Sequence, residues 1–271
     1  MLRLPAVAGQ FYPANPHELT HLIRKFTTDE SAKEKVRTKA CLVPHAGYIY
    51  SGSVAGAVLS QIALPKKIIV LGVRHRPPGA DLAIVSEGAW RTPLGDAPID
   101  AGLAQQLKAA CPLLEDDSLA HLREHSLEVE IPFLQVLAPG FSFVPVAVGT
   151  LRYDELHELG MALARVLQEK EPEILVVTSS DMNHYEPDQA TRAKDQRAIE
   201  KLQAVDPRGL YEVCRKEKIS MCGLGPAVAM LTAIKQLGAT RGELVRYATS
   251  GDVNGDYDAV VGYAGMIFLE Q

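Results

Sequence analysis

Three apolar runs in this chain read as buried strands, and each leads into a histidine. Residues 40–43 run to His45, residues 68–73 to His75, and residues 174–178 to His184 by way of Ser179, Ser180, Asp181, Met182 and Asn183. Runs that are apolar at every position, without polar alternation, suit strands covered on both faces, which is the situation inside a parallel sheet. The C-terminal ends of parallel strands share one edge, and open α/β folds build their ligand sites along it. The pattern therefore imposes both a parallel sheet and the convergence of three imidazoles on one rim. A metal centre or an acid/base site is the chemistry such a convergence suits.

The rest of the chain fits that frame. Strands are expected near 40–44, 67–73, 142–148 and 173–179, with closing strands near 243–249 and 259–269. Helices are expected over 52–62, 101–110, 124–138, 154–169, 188–203, 207–217 and 225–237. This alternation predicts an α/β fold with a mainly parallel central sheet flanked by helices on both faces. His45 and His75 stand thirty positions apart, a separation that suits a β-α-β unit with two strand ends side by side. Residues 81–100 read instead as a hairpin or excursion inserted beside the second histidine. With no Gly/Ser/Pro-rich linker and no internal repeat, residues 1–271 are expected to form one domain.

Composition removes several classes of function. A formal net charge of −5 lacks the Lys/Arg excess that neutralises phosphates, so no nucleic-acid partner is expected. The longest apolar run, residues 259–269, is interrupted by glycine and falls short of the ~20 residues a membrane span needs. The first ten residues lack a secretory apolar stretch, and a cytoplasmic protein is the expectation. Cys41, Cys111, Cys214 and Cys222 form no CxxC pair, which argues against both a disulfide framework and a zinc ribbon.

Several segments carry chemistry-bearing residues, each open to a plainer reading. Pro44 and Gly47 suit a tight turn that presents His45 at the sheet edge. Arg74 and Arg76 either keep His75 neutral, as ligation requires, or are solvated charges. Asp181 and His184 stand three apart, so the carboxylate either holds the imidazole for general-base work or supports a metal ligand. The plainer alternative is a helix start capped by Ser180 or Asp181. Cys222 precedes an apolar helix, whose N-terminus lowers a thiol pKa; it is a metal ligand, a nucleophile, or a packed thiol. Glu124 and Glu128, four apart, predict one acidic helical face that is either solvated or supports the site's ligands from behind, with Glu124 or His125 lining the pocket as the lesser alternative. Residues 252–258 lack the glycine and glutamate that a calcium loop requires and read as a turn. His17, His21, His121 and His157 read as surface residues.

Taken together, these motifs resemble the Memo family, also called AmmeMemoRadiSam system protein B, whose fold is related to the class III extradiol dioxygenases. The resemblance is carried by Ala6–Pro13, Pro44–Tyr48 with Ser51–Ser53, Leu71-Gly72-x-x-His75, Trp90–Gly95, Glu124–Glu128, Ser179-Ser180-Asp181-x-x-His184 and Met221–Gly223, in family order over nearly the whole chain. It implies a metal site of His45, His75 and Cys222, with Asp181 and His184 in the pocket and His184 where the dioxygenases keep a catalytic base. The dioxygenases hold iron(II) with two histidines and a carboxylate. Cys222 in place of that carboxylate is a softer donor, suited to iron(II), copper or zinc. Arg76 stands where the family often has another histidine.

Three functions follow as expectations. The first is an iron- or copper-dependent oxidoreductase acting on a small-molecule substrate. The second is a non-catalytic module that captures a peptide ligand or small anion through Arg74, Arg76 and the histidines. The third is a hydrolase with Cys222 as nucleophile, His184 as base and Asp181 as orienter. A homo-oligomer is left open.

Overall fold

The computed structural model describes residues 1–27, 34–168 and 173–270. Its strands are β1 (Leu2–Arg3), β2 (Ala40–Val43), β3 (Lys67–Val73), β4 (Leu82–Ile84), β5 (Ala89–Thr92), β6 (Gly95–Pro98), β7 (Glu115–Asp116), β8 (Ser142–Val148), β9 (Ile174–Ser179), β10 (His184–Glu186), β11 (Ala239–Thr249) and β12 (Val260–Glu270). The helices are α1 (Pro16–Thr27), α2 (Tyr48–Leu59), α3 (Ala101–Ala110), α4 (Leu119–Leu122), α5 (Ile131–Leu137), α6 (Tyr153–Leu167), α7 (Asp188–Gln203), α8 (Pro207–Glu217), α9 (Leu224–Gln236) and α10 (Gly251–Asn254).

The central sheet runs β10-β12-β2-β9-β3-β8-β4-β7, with β11 paired to β12. Its middle, β2-β9-β3-β8, is parallel, and β12, β11, β10 and β4 join antiparallel at the flanks. The period-2 alternation of a strand explains why these runs are apolar throughout. Ala40, Leu42, Ile69, Leu71 and Val176 face a core closed by α3, α6, α7, α8 and α9. Cys41, Val43, Ile68, Val70 and Val177 face the opposite way, into a core closed by α1, α2 and α5. Helices therefore cover both faces, as the alternation predicts.

Four sequence-based expectations need correction. The strands carrying His45 and His75 are not neighbours: β9 lies between β2 and β3 in parallel register with both. Residues 81–100 are not simply an insertion, because β4 extends the central sheet along β8 while β5 and β6 form a small sheet with β1. No continuous helix fills 124–138; a turn leads into a short 3-10 segment, Glu128–Glu130, and then α5. No helix begins at Ser180 or Asp181, since the chain passes instead into β10. Residues 252–258 do lie in the connection between β11 and β12. Among the described residues no helix is long and apolar enough to cross a membrane.

Candidate metal centre

The rim formed by the ends of β2, β9 and β3 collects the chemistry. His45 lies two residues beyond β2, His75 two beyond β3, and Asp181 two beyond β9. A pocket of about 510 Å3 at this rim is lined by His45, His75, His125, Asp181, His184 and Cys222, with Phe11, Tyr185 and Tyr263 at its sides. The pocket gathers His45, His75, Asp181, His184 and Cys222, together with His125, which the sequence offers only as a lesser alternative; the three donors that converge most closely are His45, His75 and His125.

Donor atoms of His45, His75 and His125 lie within 4.8 Å of one another. His75 and His125 stack with ring centroids 4.6 Å apart, and His45 stands edge-on to both, at 5.3 and 5.5 Å. Burial takes His45 well below the usual imidazole pKa, and the neighbouring His125 and His75 push the same way. Burial also lowers His125, to about 4, against the pull of Glu124. These two rings are therefore neutral at physiological pH, the state that metal ligation requires.

Hydrogen bonds fix which nitrogen of His45 and of His75 is free. His45 Nδ1 is 2.8 Å from Ser179 Oγ, which itself lies 2.6 Å from the Ser126 carbonyl and 2.9 Å from Glu130 Oε1. One serine proton cannot serve both oxygens. Burial raises Glu130 well above the carboxylate range, so it carries a proton. The consistent arrangement has Glu130 and His45 Nδ1–H donating to Ser179 Oγ while Ser179 donates to the Ser126 carbonyl. That leaves His45 Nε2 with its lone pair free. His75 Nδ1 donates to Glu124 Oε1 at 2.9 Å, and the His75 amide donates to Glu124 Oε2 at 2.7 Å. His125 Nδ1 is 3.5 Å from the same Oε1. Burial pushes Glu124 up, but the bonds from His75 and from the Ser126 amide outweigh it and hold the carboxyl at about 2. His45 and His75 are thus anchored at Nδ1, the supporting arrangement typical of ligating histidines, while His125 only approaches the Glu124 carboxylate.

Cys222 completes the pocket. Its Sγ is 3.3 Å from His45 Nε2 and accepts from the Asp181 amide at 3.2 Å. The next residue must be glycine: a Cβ at Gly223 would sit 2.4 Å from Ser180 Cβ and 2.7 Å from the Ser179 carbonyl, so a side chain would push the cysteine turn off β9. Burial, reinforced by Asp181, raises the Cys222 thiol pKa, so the helix N-terminus does not lower it as its position in sequence suggests. The donor set of neutral imidazoles and a thiol is chemically matched to iron, copper or zinc.

Asp181 and His184 share the pocket without bonding to each other. Asp181 Oδ1 accepts from the amides of His45, at 2.8 Å, and Ala46, at 3.2 Å, so it holds the His45 turn. Burial raises Asp181 to about 7 despite those bonds. His184 Nδ1 donates to the Ser220 carbonyl at 3.0 Å, and its amide donates to Ser220 Oγ at 2.8 Å. Burial lowers His184, partly offset by the Ser220 bond, which keeps the ring neutral. Arg74 turns away from the pocket to Asp81, at 3.3 Å.

The face of Glu124 and Glu128 is buried rather than solvated. Glu128 Oε2 meets Arg3 at 2.6 Å and the Ala6 amide at 2.8 Å, while Oε1 accepts from the Val7 amide at 3.0 Å and Tyr12 hydroxyl at 2.6 Å. His121 is also buried, at 1% exposure beneath the Arg3 clamp, rather than on the surface. Their signal in the sequence is only the cluster of charge itself, since the partners lie far along the chain, 49 residues away for Glu124 and His75 and 125 for Glu128 and Arg3.

The Memo-like protein family model matches residues 3–267. A MEMO1 family protein of Aquifex aeolicus is 44% identical over 269 residues, covering 99% of both chains. One of Methanopyrus kandleri is 41% identical over 280 residues, again with 99% of both covered. An uncharacterized protein of Escherichia coli K12 shares the fold, with a TM-score of 0.56 at 14% identity, covering 84% of this chain and 98% of its own. Whole-length identity at this level, joined to the rim of histidines and the Met221–Gly223 turn, makes this chain a member of the Memo family.

Proposed function

We propose that the pocket is a metal-binding centre of an oxidoreductase, with His45, His75 and Cys222 as ligands and His125 as an additional donor beside them. The observation that carries this reading is the convergence of the donor atoms of His45, His75 and His125 beside a thiol, with His45 and His75 held at Nδ1 by Ser179 and Glu124. Iron(II) or copper held there supplies Lewis acidity and one-electron redox chemistry.

The surrounding residues then have definable tasks. His184, neutral and fixed through Nδ1, has its other nitrogen available to take a proton from a substrate hydroxyl. Asp181 keeps the His45 turn in place, and Phe11, Tyr185 and Tyr263 supply apolar walls for a small-molecule substrate. Ligation requires Cys222 as thiolate, and the raised thiol pKa means that metal uptake strengthens as pH rises. The hydrolase reading is less favoured, because the imidazole in contact with Cys222 is His45 rather than His184 and burial disfavours the thiolate.

Elemental analysis of the purified protein, with His45→Ala and Cys222→Ala beside it, is the test. Near-stoichiometric iron or copper in wild type, lost in both variants, supports the centre. Equally poor retention by all three would remove it.

A further inference from the structure

The pocket does not end at the imidazoles. Phe11 and His125, whose rings are 4.8 Å apart, form the wall between it and a second cavity of about 500 Å3. That second cavity is lined on its far side by Arg76, Leu122 and Arg123, and the same three residues line a further hollow of about 370 Å3 against Pro77 and Leu119. The three spaces lie in series through shared lining residues, with the candidate metal centre at one end and two guanidiniums at the other.

These guanidiniums are uncommitted. Elsewhere on this acidic chain, Arg91, Arg152, Arg192 and Arg197 each meet a carboxylate. The side chains of Arg76 and Arg123 make no hydrogen bond, ion pair or ring contact with any described residue. Glu124, the carboxylate that lines the same hollow, is already committed to His75 and to the amides of His125 and Ser126. Two arginines left unmatched in one groove of a protein with net charge −5 create a local positive field, and their planar forks match carboxylate or phosphate oxygens. Leu4 and Leu122, 61% and 47% exposed, give the groove an apolar flank.

We infer that Arg76 and Arg123 form an anion subsite for the substrate, which is an elongated molecule bearing a carboxylate or phosphate at one end and its reacting group at the other. The inference rests on the reading of the imidazole pocket as the reaction centre.

Phenyl phosphate and benzoate, compared with neutral phenol, probe the subsite by calorimetry on the full chain, with and without prior chelation. One or both anions should bind better than phenol in chelated protein, and the stronger of the two identifies the group recognised. The double variant Arg76→Ala/Arg123→Ala should weaken that binding by at least about tenfold while retaining wild-type metal content. The double lysine variant should recover part of it, since charge is kept and the fork is lost. His45→Ala should lose metal yet keep anion binding. No preference for either anion over phenol, unchanged binding in the arginine variant, or loss of anion binding on chelation alone would each overturn the subsite. Failure of metal to depend on His45 would instead overturn the metal centre, leaving the arginine result to stand by itself.

Discussion

At the scale of single residues, the centre depends on proton positions set by buried partners. Ser179 orients His45 by accepting from its Nδ1–H, with Glu130 as a further donor to the same oxygen, which leads to a contrast between two variants. Glu130→Gln keeps an N–H for Ser179 Oγ and should leave metal affinity close to wild type. Ser179→Ala removes the acceptor for His45 Nδ1 and should weaken metal binding by roughly 10- to 100-fold, read by competitive titration with a chelator. Equal loss in both variants would mean that an ionised Glu130, which glutamine cannot supply, supports the site instead. A second expectation concerns pH. Burial, with a contribution from Arg3, holds His121 at about 4, below the ordinary imidazole value. Between pH 6.5 and about 4 the unfolded chain takes up this proton and the folded chain does not, so stability falls as pH drops through that window. Urea unfolding of wild type and His121→Leu across it should show a shallower pH slope in the variant, by up to about 1.4 kcal/mol per pH unit.

At the scale of elements, the N-terminal segment is tied to the site by one carboxylate. Arg3, 5% exposed and stacked 4.2 Å over Trp90, pairs with Glu128, which also satisfies two backbone amides and the Tyr12 hydroxyl. This anchor keeps residues 1–12 in position to lay Phe11 on His125. Glu128→Ala should therefore destabilise the protein by about 3–5 kcal/mol in denaturant unfolding, since it strands a buried guanidinium. Replacing both partners, Arg3→Met with Glu128→Leu, should not restore stability, because the amides of Ala6 and Val7 and the Tyr12 hydroxyl stay unsatisfied. Recovery in the double variant would reduce the anchor to a simple ion pair. The same elements show where a linear reading fails. Glu124 and Glu128 carry the spacing of a solvated helical face, but each is held by a partner distant in sequence, His75 and Arg3, and those bonds pull the segment out of the expected helix. Strand order is a comparable case: the thirty-residue spacing of His45 and His75 suggests adjacency, whereas β9, from the second half of the chain, is inserted between β2 and β3.

At the scale of the whole molecule, the proposed centre joins side chains from four remote parts of the chain, so a bound metal acts as a cross-link between them. Iron(II) or copper at about 100 times its dissociation constant should add about 2.7 kcal/mol to unfolding stability, and His45→Ala should abolish the gain. An unchanged melting temperature on adding metal to the chelated wild type would contradict it. The sequence by itself determined the α/β architecture, because strands covered on both faces must be apolar at every position, and residues 40–43, 67–73 and 174–179 are nearly so. It also identified His45, His75, Asp181, His184 and Cys222 as one group, through strand-end positions and family motifs that are local in the chain. Only the tertiary structure decided which nitrogen of His45 and of His75 is free, that His125 joins the cluster, and that Arg76 rather than Arg74 faces the cleft. The physical reason is range: apolar periodicity is written within a few residues, whereas burial, hydrogen-bond partnership and the pKa values that follow from them depend on groups that meet only when the chain has folded.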